Sequence, residues 1–91
     1  MKTESFRYCN KASLAAESCQ AQAQTEKEIQ LRDQAVKASS DAWEWHRSSG
    51  GNAIPVIREL ARLAMRNQAA IEESRQSRHL SKADMMERNG L

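Results

Sequence analysis

Apolar residues recur along this chain at helical intervals, and one sharp interruption divides them. Leu31, Ala35, Ala38, Ala42 and Trp45 follow alternating four- and three-residue steps, which makes one narrow helical stripe. Ile29, Val36 and Trp43 recur every seven residues, on a face roughly 140° away at about 100° per residue. Beyond the interruption, Ala53, Ile57, Leu60, Ala64 and Ile71 mark a second stripe. Val56 and Leu63 widen it on one side, and Ile54, Ala61 and Met65 on the other. One neighbouring helix cannot cover an arc that broad.

The interruption is Ser48-Ser49-Gly50-Gly51-Asn52. Adjacent glycines lack the β-carbon that penalises left-handed backbone, so they end a helix readily. Asn52 suits an N-cap, and Pro55 is tolerated in the first turn that follows. The pattern therefore predicts a first helix over 11–47 after an N-terminal arm at 1–10, a turn at 48–52 and a second helix over 53–78. Leu80-Ser81-Lys82-Ala83-Asp84-Met85 predicts a short third helix over 81–89: Ser81 is a good cap, Leu80 can staple onto Met85, and Asn89-Gly90 closes it. The two long helices differ by about 16 Å at 1.5 Å per residue. Either Met85 and Met86 fold back over the excess, or the Gln/Ala-rich stretch QAQAQTEKEIQ breaks or frays. There are no internal repeats.

Composition supports an all-α fold and bounds its size. Val36 and Val56 are the only valines, Thr3 and Thr25 the only threonines, and proline occurs once. A chain of 91 residues buries only about 60 to 65% of its unfolded surface. A hairpin with two surplus apolar faces and so thin a core is expected to complete itself as a homodimeric helical bundle. The dimer or partner interface is then assigned to Ile29, Val36, Trp43, Met65, Met85 and Met86. The two tryptophans differ by about 200° around the helix. Trp45 is expected to plug the hairpin against Ile54 or Ile57, and Trp43 to face a second copy or a partner.

Charge changes the picture little. The net charge is +2, with 14 basic and 12 acidic side chains, and the excess lies entirely after residue 49. Arg58, Arg62 and Arg66 stand at i, i+4 and i+8 on one face and could follow phosphates. Glu59 and Glu73 dilute that stripe, and no aromatic residue is interleaved for base stacking. No run approaches the roughly 18 apolar residues of a membrane span. The N-terminal stretch MKTESFRYCNK lacks the apolar segment of a secretory signal. A cytoplasmic location is the expectation, with Cys9 and Cys19 as free thiols about 15 Å apart along a helix.

Candidate chemistry is sparse. Cys9, Cys19, His46 and His79 have no metal-ligand spacing, and Gly50-Gly51 belongs to no phosphate loop. The sequence is therefore read as that of a non-enzyme without metal, cofactor or small-molecule substrate. It is expected to be a regulator, adaptor or inhibitor that binds another protein through a helical face. The alternative is a nucleic-acid-binding dimer that uses the arginine stripe on the second helix.

Overall fold

The computed structural model describes the backbone of residues 2–49 and 51–89, and the side chains of residues 4–49 and 51–78. It is all-helical: α1 spans Lys2–Gln22, α2 Glu26–Ser49 and α3 Ile54–Asn89. The helix expected over 11–47 is thus two helices. Residues 2–10 of the expected arm are the first half of α1, and the expected third helix is the continuation of α3. Ser81 does not interrupt α3, because residues 74–88 hold neither glycine nor proline and a good capping residue alone does not end a helix whose backbone can continue.

Each helix packs on the other two, giving a three-helix rod of 62 × 20 × 16 Å. Hydrogen bonds set the directions. Ser5 on α1 meets His46 on α2 at one end, and Glu28 on α2 meets Ser74 and Arg78 on α3 at the other. The chain therefore runs up, down and up. About eleven residues of α3 continue past Arg78, roughly 16 Å of helix at 1.5 Å per residue.

Small side chains permit this packing. α1 contributes Ser5, Cys9, Ala12, Ala16 and Cys19, again in four- and three-residue steps, with Ala15 alongside. α2 contributes Ala35, Ala38 and Ala42, and α3 Ile57, Ala61, Ala64 and Ile71. Among the described residues, only Ile57 and Ile71 are large apolar side chains that are fully buried. Alanine, cysteine and serine let helix backbones approach closely, and close approach recovers as dispersion contact what each small residue lacks in area. The α1 stripe is hard to see in the sequence because its members are not bulky. It supplies the neighbour that the broad apolar arc required, and it comes from the same chain.

The two connections differ in construction. Between α2 and α3, Gly51 has φ 90° and its N–H donates to the His46 carbonyl at 3.1 Å. The Ser49 hydroxyl, rather than Asn52, accepts the Ala53 N–H at 3.2 Å. Between α1 and α2 there is no glycine. Thr25 is the cap: its hydroxyl accepts the Glu28 N–H at 3.1 Å, while the Glu28 carboxylate accepts the Thr25 N–H at 3.4 Å. This is a reciprocal capping box.

Candidate functional site

Three groups of side chains stand out from the alanine core. The first surrounds Glu28, which is fully buried. One carboxylate oxygen, Oε1, accepts from the Gln24 N–H at 3.0 Å, the Thr25 N–H at 3.4 Å and Arg78 Nη2 at 3.0 Å. The other accepts the Ser74 hydroxyl at 2.6 Å. Burial alone would push this carboxyl up. The Ser74 hydroxyl, the two backbone N–H groups and the Arg78 guanidinium outweigh burial and hold it below the usual glutamate range. Arg78 also has a buried Nε without a hydrogen-bond partner. Beside this node lies an open cleft of about 420 Å³ between α2 and α3, lined by Lys27, Leu31, Ala70, Glu73 and Ser77 along with Glu28 and Ser74.

Periodicity alone passes over Glu28, because a charged residue is not expected in the core. Its signal is nonetheless present. Thr25-Glu26-Lys27-Glu28 has the capping-box spacing, and it falls inside the Gln/Ala-rich stretch whose breakage was one of two alternatives.

The second group closes the opposite end. Trp43 is half-buried and packs edge-on to Phe6 (centroids 5.5 Å, interplanar angle 78°) and to His46 (5.8 Å, 86°). Its indole N–H donates to the Ser13 hydroxyl at 2.6 Å, and Ser13 in turn lies 3.2 Å from the Ser39 hydroxyl. Such T-shaped pairs favour the positive ring edge against the negative face. The cluster fastens α1 to α2, so Trp43 is occupied within its own chain.

The third group is exposed. Trp45 keeps 46% of its surface in solvent, in a shallow groove of about 260 Å³ with Asp41, Glu44 and Ser48. The two indoles do lie on different faces, but their expected roles are reversed: Trp43 holds the fold together and Trp45 faces outward. The physical reason is α1. The helix that was expected to extend past the hairpin folds back and takes up the Trp43 face, leaving the end of the Leu31–Trp45 stripe at the margin.

The remaining candidates do not converge. Ile29 and Val36 are half-buried on α2, whereas Met65 on α3 is 45% exposed. Met85, Met86 and the side chain of His79 lie outside the described side chains. Arg58, Arg62 and Arg66 are all exposed, and Arg62 pairs with Glu59 at 3.1 Å. Cys9 and Cys19 are buried free thiols. Burial pushes both up; Arg47 partly opposes this at Cys9, and Glu72 adds to it at Cys19. Neither thiol is poised as a nucleophile. Among the described residues, no three His, Cys, Asp or Glu side chains gather as a metal site, and no helix is long and apolar enough to cross a membrane. Compared with family models, curated proteins and solved structures, the chain matches none.

Proposed function

We propose that this chain is a small non-enzymatic regulator, adaptor or inhibitor that docks another protein on a helical face, with Trp45 as the anchor. The observation that carries the reading is the exposure of that indole on a bundle already closed without it. Tryptophan is among the residues most enriched where binding energy concentrates. An exposed one, with Asp41 and Glu44 beside it, suits a partner that presents an apolar pocket rimmed by lysine or arginine. Docking would act sterically, by blocking or bridging the target with a rigid rod.

A second copy that docks with every helix in place would have to use the outside of the closed bundle. The surplus faces that made a side-by-side dimer attractive are largely met by α1, so a different protein is the favoured partner. The arginine stripe gains no specific support for nucleic acid: Glu59 neutralises its middle member, and Tyr8 and Phe6, the remaining aromatic residues, are on α1.

The test is capture from native lysate with the immobilised chain, with and without nuclease. Trp45→Ala and Asp41→Lys/Glu44→Lys should lose the captured protein while keeping wild-type helix content. Capture that survives both variants, or that vanishes with nuclease, overturns the reading. The second result, if paired with loss on Arg62→Glu, would favour the nucleic-acid alternative.

A further inference from the structure

We infer that the α1–α2 connection is an exchange hinge: when residues 23–25 wind into helix, α1 of one chain packs between α2 and α3 of a second copy, giving a reciprocally swapped dimer.

Four observations lead there. Residues 2–49 contain neither glycine nor proline, so no residue in the connection forbids a continuous helix. The linker Ala23-Gln24-Thr25 follows Gln20-Ala21-Gln22, and alanine and glutamine rank among the better helix formers. No described residue other than glycine has positive φ, so winding the linker need not rescue a left-handed residue. Finally, the break is held by side chains: Thr25 and Glu28 cap α2, and Ser74 and Arg78 reach Glu28 from α3. The helix propensity of the linker and these side-chain contacts, two of them from α3, therefore oppose each other at this point. A short connection under such tension invites domain swapping.

The other connection cannot open in the same way. Gly51 is at φ 90°, and glycine is among the poorest helix formers, so winding this turn into helix costs more and the exchanging unit is α1. What α1 gives up on leaving is available from a second copy. Its contacts with α2 include the Cys9 thiol on the Ala42 carbonyl, Ser13 on Ser39 and Trp43, Ser5 on His46, and the Phe6 ring on Trp43 and His46, and each can form between chains. On one straight helix, the α1 and α2 core stripes fall roughly 100° apart at about 100° per residue. The groove that α1 enters in a second copy thus lies on a different side of the long helix from its own α3.

Glu26→Pro decides between exchange and ordinary surface association. Position 26 begins α2, where proline is accommodated because the first helical N–H has no intrahelical partner. In a continuous helix the same proline would remove a hydrogen bond and clash with the preceding turn. The chain is unfolded, refolded at high micromolar concentration and sized by light scattering. Wild type should show a species at twice the 10.3 kDa chain mass, separable from monomer. Glu26→Pro should reduce that species at least tenfold with helix content intact, and Thr25→Ala and Glu28→Gln should each raise it severalfold. If Glu28→Gln fails to fold, Thr25→Ala carries this arm. Isotope-labelled and unlabelled dimers should mix only after unfolding. Wild type that stays monomeric throughout, a Glu26→Pro dimer equal to wild type, or rapid mixing under native conditions would each overturn the proposal.

Discussion

The two ends of the rod are closed by different physics. At one end, α2 turns into α3 through Gly51 at φ 90°, and an aromatic cluster of Phe6, Trp43 and His46 fastens α1 alongside. At the other, α1 turns into α2 with no special backbone residue, and one buried carboxylate gathers two donors from the turn and two from α3. The first turn rests on glycine's freedom at positive φ. The second combines a local capping box of Thr25 and Glu28 with Ser74 and Arg78 from α3. A turn of the first kind is hard to undo, and one of the second kind depends on a few side chains.

Removing Glu28 should therefore have the largest effect of any single change. Glu28→Ala leaves Arg78, Ser74 and two backbone N–H groups without their acceptor and removes a cap. We expect a loss of about 3 kcal/mol, read from the urea midpoint at constant slope. A loss under about 1 kcal/mol would mean that the charged end is not held as described.

At the aromatic end, Trp43→Ala should lose about 2 kcal/mol, since the ring is half-buried and its N–H is bonded. Trp45→Ala should lose under about 0.5 kcal/mol, as for an ordinary surface position. Equal losses in thermal melts would erase the distinction between the two indoles. Gly51→Ala tests the glycine turn by itself. A β-carbon at positive φ costs roughly 1 to 2 kcal/mol, and a neutral result in the same melts would show that this turn is also held from outside.

The mildest perturbation is acid. Glu28 has a folded-state pKa below its unfolded value. Its contribution is accordingly complete above the ordinary glutamate range and is lost as pH falls through that range toward the folded value. Urea midpoints measured from pH 7 downward should fall in acid for wild type, and Glu28→Gln should flatten part of that decline. A fall toward alkaline pH that Glu28→Gln removes would contradict the assigned sign.

These contrasts explain which parts of the molecule could be read from the residues. The α2–α3 turn was plain because glycine acts locally and needs no partner. The α2 and α3 stripes were plain because Leu, Ile and Trp stand out against polar neighbours. The α1 stripe was obscured because Ser5, Cys9, Ala12, Ala16 and Cys19 are small, and small residues read as surface until a close neighbour is known. The Thr25-x-x-Glu28 box could have been read directly. It loses to a search for glycine and proline because a capping box proposes a helix start without forbidding continuation.

By itself, the sequence determined the helical class, the glycine turn and the separation of the two tryptophans onto different faces, since each follows from local backbone geometry. Tertiary structure decided where the long helix breaks, which indole is covered and that the apolar arc is met by α1. Those outcomes depend on contacts between residues 30 to 50 positions apart. Helical periodicity records which way a side chain points but not what stands opposite it.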